Sequence, residues 1–128
     1  ALGRSKVEVN IETLMMLDSL DMKEKDRGLI VKKCAAATEE QIVITHGTDT
    51  MTNTAKVLGA KHLKKTILTT GAMIPYKFGT SDGLFNIASA LAYVQTMPHG
   101  VYIAMNGRVF LHDKVIKNRK TGIFEEIK

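Results

Sequence analysis

Two short segments, QIVIT at residues 41–45 and KTILTT at residues 65–70, restrict the possible folds more than any other feature of the chain. Both are rich in β-branched residues and unbroken by turn residues, which is typical of strands buried on both faces of a sheet. Between them, Met51, Ala55 and Leu58 recur at helical spacing, and Gly59 follows as a helix stop. This order of strand, helix and strand predicts two parallel strands joined by a crossover helix.

The flanking segments extend the pattern in both directions. We predict a strand near residues 11–17, and then a helix with Asp21 as its N-cap and Glu24 three residues on, as in a capping box. The apolar stripe of this helix consists of Leu29, Ile30, Cys34 and Ala37.

The second half of the chain opens with a loop at residues 71–83, which carries three of the ten glycines and one of the two prolines. An apolar helix is predicted from about Asp82 to Val94. VYIAMNGRVF at residues 101–110 is a strong hairpin signal, because Asn106-Gly107 suits a two-residue turn. The whole pattern predicts an α/β fold: a doubly wound parallel sheet with an antiparallel ribbon at its edge.

Length and composition narrow the class of protein. With 128 residues, 45% of them apolar and 24% charged, the chain fits one globular domain. It contains no run of about 20 apolar residues, as a membrane span requires, and its first residues lack the apolar core of a secretory signal. Its single cysteine, Cys34, excludes an internal disulfide. We therefore expect a cytoplasmic protein without a membrane partner.

The net charge of +5 comes largely from basic clusters at residues 61–65 and 114–120. Such clusters attract phosphates. However, aromatic residues make up only 5% of the chain, and none alternates with the basic residues as a stacking platform for bases would require. We therefore expect solvated surface here and no nucleic-acid partner.

A polar segment, THGTDT at residues 45–50, follows the first buried strand directly. Ligands of doubly wound sheets bind beyond the carboxyl ends of the strands, where this segment and the loop at residues 71–83 should both lie. Helix capping accounts for one Thr or Asp, but not for His46 and so many hydroxyls. A helix N-terminus also suits a carboxylate or phosphate ligand. Capping and ligand binding both remain open on this pattern alone.

A threonine hydroxyl becomes a nucleophile, or activates water, only when a base takes its proton. A lysine held by a carboxylate can be that base, and three candidates follow the hairpin: Lys114, Lys117 and Lys120. The four histidines lack a paired metal-ligand spacing, and neither a P-loop nor a G-x-G-x-x-G occurs. We therefore expect no metal and no cofactor.

The segment VITHGTDTM, followed by TA and a leucine, resembles the bacterial asparaginases and their relatives, the threonine-dependent amidohydrolases that release ammonia from asparagine or glutamine. Further matches follow in the family's order: TGAM with a proline (70–75), SDGLFN (81–86) and VYIAMNGRVF; DSLDM (18–22) precedes them. The resemblance covers residues 11–120 and is closest to short, single-domain bacterial asparaginase-like proteins. It implies the flavodoxin- or Rossmann-like fold of the asparaginase N-terminal domain.

The resemblance also implies roles for individual residues. Thr48 would be the second catalytic threonine, and Asp49 would bind the α-amino group of the substrate. Lys117 would complete a triad-like catalytic group with these two residues. Ser19 would hold the substrate's α-carboxylate, and Ala72 would lie beside the amide end. The family further implies a homodimer or higher homo-oligomer.

Several departures from the family's pattern accompany these matches. The Gly-Gly-Thr-Ile segment that carries the family's first catalytic threonine does not occur in the 128 residues, and the family's second domain is absent from them. Leu20 and Ile74 stand where polar residues are common. We therefore expect a single asparaginase-like α/β domain, residues 1–128, that lacks its first strand. The alternative is a gene product that never had this strand.

Three functions remain as hypotheses. The first is an amidohydrolase that converts the side-chain amide of L-asparagine, or a related small amide, to the acid and ammonia. The second is a non-catalytic asparaginase-like module that binds a small amino acid or another anion. The third is a flavodoxin-like phosphate or nucleotide binder, which fits the basic charge but does not explain the hydroxyl-rich loop with a downstream lysine.

Overall fold

The computed structural model describes residues 6–73 and 81–127. The described helices are a 3-10 turn at Ser19–Asp21 and α-helices α1 (Glu24–Ala36), α2 (Met51–Gly59) and α3 (Gly83–Val94). The described strands are β1 (Gln41–Thr45), β2 (Thr66–Thr70), β3 (Gly100–Met105), β4 (Arg108–Leu111), β5 (Val115–Lys117) and β6 (Phe124–Glu126). None of these helices has the length and apolar character that crossing a bilayer requires.

The main sheet has the strand order β1-β2-β3-β4. Strands β1, β2 and β3 are parallel, and Thr45 at the end of β1 lies opposite Thr70 at the end of β2. Strand β4 is antiparallel to β3 and forms the ribbon at the edge. A separate two-stranded antiparallel ribbon joins β5 to β6. The fold class predicted from the sequence is therefore confirmed.

Successive residues of the strands supply two core layers, because side chains alternate between the faces of a sheet. Ile67 packs with α1 and α2 on one face, whereas Leu68 packs with α3 on the other. All five residues of β2 are buried, as its sequence predicted. The expected core positions of α2 are confirmed as fully buried: Met51, Ala55 and Leu58.

The hairpin and the apolar helix before it agree with their sequence predictions. Asn106 has φ 58° and Gly107 has φ 76°, which is the left-handed pair that a tight turn between β3 and β4 requires. Helix α3 begins after Asp82 and ends at Val94, within one residue of the predicted bounds. Residues 74–80 of the intervening loop, which include Ile74, lie outside the described residues.

The strand predicted near residues 11–17 is wrong, because the structure gives this segment no regular secondary structure. Ile11 is 75% exposed and Met16 is 91% exposed. A run of apolar residues forms a stable strand only where a neighbouring strand and a core cover it. Strand β1 itself is only half-buried at residues 42–44, contrary to prediction, because within the described sheet it is the edge strand.

The start of α1 also differs from the prediction. Asp21 belongs to the 3-10 turn and does not cap α1. Lys23 is the N-cap, and its backbone N–H donates to the Asp26 carboxylate at 2.9 Å. Of the expected apolar stripe, Ile30 and Cys34 are buried, while Leu29 is exposed and Ala37 half-buried. Local propensity predicted the helix correctly, but α1 begins later than expected because Asp21 belongs to the preceding turn.

Candidate active site

The candidate site lies where β1 and β2 end. The backbone N–H of His46 donates to the carbonyl oxygen of Thr70 at 2.8 Å, which continues the parallel pairing by one residue. Gly71 then passes so close that a Cβ atom there would lie 2.2 Å from the carbonyl oxygen of His46. The two loops predicted to share this edge of the sheet therefore touch.

Three residues predicted to be catalytic come together at this edge. The Lys117 Nζ donates to Oγ1 of Thr48 at 3.0 Å and to Oδ1 of Asp49 at 2.8 Å. Lys117 ends β5, which the fully buried Val115 anchors in the core. The sequence left three lysines open, and Lys117 is the one whose side chain contacts these two residues in the described part of the chain.

Burial and charge differ across this group. Thr48 is buried, and the Lys117 side chain is only 10% exposed, whereas the Asp49 side chain is 35% exposed. The hydrogen bond from Lys117 holds the pKa of the Asp49 carboxyl below its ordinary value, and the positive charges of Lys117 and Arg119 add to this effect. Asp49 is therefore an anion at neutral pH, open to solvent on one side and fixed by lysine on the other.

Arg119 is a second cation at Asp49, and the sequence analysis did not identify it. Its Nη1 donates to Oδ1 of Asp49 at 3.1 Å, and its Nη2 donates to the main-chain oxygen of Asp49 at 2.8 Å. One signal could have found it: Arg119 belongs to the basic cluster at residues 114–120, which also contains Lys117.

Ser19, predicted to bind substrate, lies against the same loop. Its hydroxyl oxygen accepts a long hydrogen bond of 3.4 Å from the Thr50 N–H, and its carbonyl oxygen accepts one of 2.8 Å from the Thr50 hydroxyl. A Cβ atom at Gly47 would lie 2.8 Å from Oγ of Ser19, so a glycine is needed for this close approach. Ser19 is itself only 2% exposed, while its neighbour Leu20 is 65% exposed.

Ala72 is half-buried and directly follows Gly71, the residue that packs against His46. This places it at the same edge of the sheet as Thr48. Its position beside the amide end of a substrate stays a prediction.

His46 turns inward instead of joining the catalytic group. Its Nδ1 carries the hydrogen and donates to the Gly47 carbonyl at 2.6 Å, since a carbonyl can only accept. Its Nε2 then accepts from the Thr54 hydroxyl at 2.8 Å, and Nε of Arg27 donates to that hydroxyl at 3.1 Å. Burial lowers the pKa of His46, and the charge of Arg27 contributes. His46 therefore acts as a neutral brace for the loop.

The other three histidines, His62, His99 and His112, line a cavity of about 250 Å³ near Gly59 and Gly100, at the opposite end of the strands. Their arrangement provides no set of metal ligands; nor do the remaining His, Cys, Asp and Glu residues of the described ranges.

The sequence of this chain also matches a known family and several known proteins. The family model described as "Asparaginase, N-terminal" matches residues 2–124. The glutaminase-asparaginase of Acinetobacter glutaminasificans is 39% identical over 119 residues, which cover 90% of this chain and 35% of that protein.

Solved structures agree in fold. The thermostable L-asparaginase from Thermococcus kodakarensis superposes with a TM-score of 0.87 at 29% identity, over 98% of this chain and 41% of that one. A probable cytoplasmic L-asparaginase from Campylobacter jejuni has a TM-score of 0.77 at 31% identity, over 86% and 37% of the two chains.

The 128 residues span about a third of the length of the curated relatives that they match. The family model covers nearly all of them, and the parallel sheet with its polar edge agrees with it. The chain therefore belongs to the asparaginase family, in the region of its N-terminal domain.

Proposed function

We propose that the protein is an amidohydrolase that converts the side-chain amide of L-asparagine, or a related small amide, to the acid and ammonia. One observation carries this proposal: the Lys117 Nζ bridges the Thr48 hydroxyl and the Asp49 carboxylate, at 3.0 and 2.8 Å. A hydroxyl, a lysine and a carboxylate in direct contact form a proton relay that simple helix capping does not require. Relatives named L-asparaginase and glutaminase-asparaginase support the same reaction.

In the relay, each residue has a separate task. Asp49 fixes the position of the Lys117 Nζ. As an ammonium, Lys117 donates to Thr48 and leaves the hydroxyl hydrogen of Thr48 free to donate onward. As a neutral amine, Lys117 accepts a proton through Thr48 from the group that attacks the amide.

The proposed reaction has two steps. In the first, a threonine hydroxyl loses its proton to the relay, its oxygen bonds to the amide carbon, and the carbon–nitrogen bond breaks with return of the proton to ammonia. In the second, water loses a proton to the relay and attacks the ester, which releases the acid and restores the hydroxyl. Backbone N–H groups would stabilise each oxyanion. No Gly-Gly-Thr occurs in the 128 residues, so we propose that the attacking threonine lies outside them, on the first strand of this domain.

The substrate would be held by its ends. Asp49 would accept the α-ammonium of a substrate that carries one, and Ser19 would donate to the α-carboxylate. Ala72 would line the amide end with its backbone. The positions of Ser19 and Asp49 support this arrangement, since Ser19 bonds to Thr50, the residue that follows Asp49.

We further propose a homodimer or a higher homo-oligomer. Leu84 and Phe85, at the start of α3, are 51% and 59% exposed, and apolar side chains of this size are commonly covered in an assembly. Sedimentation of the purified protein tests this proposal, and a monomer at micromolar concentration would contradict it.

A cytoplasmic location is also a proposal. The buried, unpaired thiol of Cys34 and the Campylobacter jejuni relative support it. A relative from Haemophilus influenzae is named periplasmic. Cell fractionation decides between the two compartments.

The decisive experiment measures ammonia release from asparagine and from glutamine by the full-length gene product. We expect Thr48→Ala to lower the rate by about 100-fold or more, since it removes the hydroxyl of the relay. Thr52→Ala is the matched control, because Thr52 is the second residue of α2 and its hydroxyl donates to its neighbour Asn53 at 3.4 Å. A Thr48→Ala protein with undiminished activity would refute the relay. No release by the unmodified protein, with aspartate still bound in calorimetry, would favour a non-catalytic binding module.

A further inference from the structure

Arg119 places a second positive charge on the carboxylate that would bind the substrate's α-ammonium. The guanidinium holds Asp49 at two points, Oδ1 and the main-chain oxygen, at 3.1 and 2.8 Å. Such a fork is geometrically more specific than a single contact from a lysine. The Arg119 side chain is nevertheless 63% exposed, so it has no packing role that would explain its position.

Among the described residues that contact Asp49, the charges do not balance. Oδ1 of Asp49 accepts from both Lys117 and Arg119, so that two cations surround one anion. Lys117 lies on the buried side, with 10% of its side chain exposed, and Arg119 on the open side. An arriving α-ammonium would therefore meet a carboxylate whose charge is already neutralised, together with a net positive charge, and like charges at this range repel.

A substrate without the ammonium avoids this conflict. A short amide whose only charge is a carboxylate is attracted by the excess positive charge, and it leaves the contact between Arg119 and Asp49 in place. It keeps the amide carbon that the relay of Thr48 and Lys117 would act on.

We propose that Arg119 is a specificity-determining residue that disfavours substrates with a free α-ammonium and favours ω-amides of short dicarboxylic acids. This inference rests on the proposed function, since it assigns the substrate class of the same site. Succinamate is the matched probe, because it has the carbon chain, amide and carboxylate of asparagine and lacks only the amino group.

The test compares kcat/KM for asparagine with kcat/KM for succinamate in the full-length gene product and its Arg119→Ala variant. We expect Arg119→Ala to shift the ratio at least about tenfold towards asparagine, because the variant frees the Asp49 carboxylate for an ammonium. Arg108→Ala is the control: its guanidinium packs over the Phe110 ring at 4.7 Å instead of binding Asp49. The ratio should be unchanged in that variant.

A binding measurement separates failure of this inference from failure of the proposed function. Calorimetry with L-aspartate and succinate uses the same proteins and needs no catalysis. Even if neither amide yields ammonia, tighter aspartate binding relative to succinate in Arg119→Ala supports the inference. An unchanged ratio in both measurements overturns it, whether or not the protein releases ammonia. Binding of neither acid overturns it as well.

Discussion

The Lys117 Nζ lies 3.0 Å from Oγ1 of Thr48, although 69 positions separate the two residues in the chain. The contact depends on two separate sheets. Thr48 follows β1 of the main sheet, while Lys117 ends β5 of the small ribbon. The buried side chains of Val115 and Phe124 attach the ribbon to the same core as α2. This contact is therefore positioned by packing of the ribbon against the core.

The first prediction concerns Lys117 as a base. Lys117→Met removes the amine, and we expect ammonia release to fall by about 100-fold or more. Lys117→Arg keeps a positive charge at Asp49 but cannot accept a proton at neutral pH, so it should lose activity to a similar degree. Retention of activity in the arginine variant would show that the charge matters and the base does not.

The second prediction concerns Ser19 and substrate binding. Ser19→Ala should raise KM for asparagine by about tenfold while kcat stays within about threefold, because a hydrogen bond to the carboxylate is lost in the ground and transition states alike. Steady-state kinetics provide the measurement, and Ser89→Ala on α3 is the control. An unchanged KM would remove Ser19 from the binding site.

The third prediction concerns pH and stability. The pKa of His46 is lowered in the folded protein, chiefly by burial, from an ordinary value of about 6.5. Well above this value the imidazole is neutral in both states. As the pH falls below that value, the unfolded chain takes up the proton first, so the free energy of unfolding decreases by up to about 1.4 kcal/mol per pH unit.

Chemical denaturation at several pH values between about 7.5 and about 5 tests this prediction, because a histidine in the unfolded chain titrates within this range. His46→Gln should show a flatter dependence on pH than the unmodified protein, because glutamine does not titrate. His99→Gln, at an exposed position, should leave the dependence unchanged. Identical slopes in all three proteins would contradict the assignment.

The fourth prediction concerns Asn86, which is fully buried in α3. Its Nδ2 donates to the Gly71 carbonyl at 2.8 Å, and its Oδ1 accepts from the Asn106 N–H at 3.1 Å. The side chain thus joins the loop after β2 to the hairpin turn. Asn86→Ala would remove both of these hydrogen bonds from buried surroundings, and we expect a loss of about 2–4 kcal/mol of unfolding free energy. Asn53→Ala, at an exposed site of α2, should change stability by less than about 0.5 kcal/mol.

Sequence patterns predicted the main elements because these depend on neighbouring residues. The β-branched composition of residues 66–70 and the Asn106-Gly107 turn require no distant partner to be recognised. Topology alone predicted that the polar residues of β1 and β2 meet at one edge of the sheet, since parallel strands end on the same side. The family resemblance then singled out Lys117, and in the structure the Lys117 side chain contacts Thr48 and Asp49.

Tertiary structure decided what local patterns do not encode. Residues 11–17 are apolar enough for a strand but lie uncovered, since burial depends on what packs against a segment. His46 proved to be a brace because the Thr54 hydroxyl, which Arg27 contacts, donates to its inner nitrogen. Arg119 reaches Asp49 across 70 positions of chain. The sequence determined the elements and their order through local propensity, whereas contacts between distant side chains depended on how the core packs those elements together.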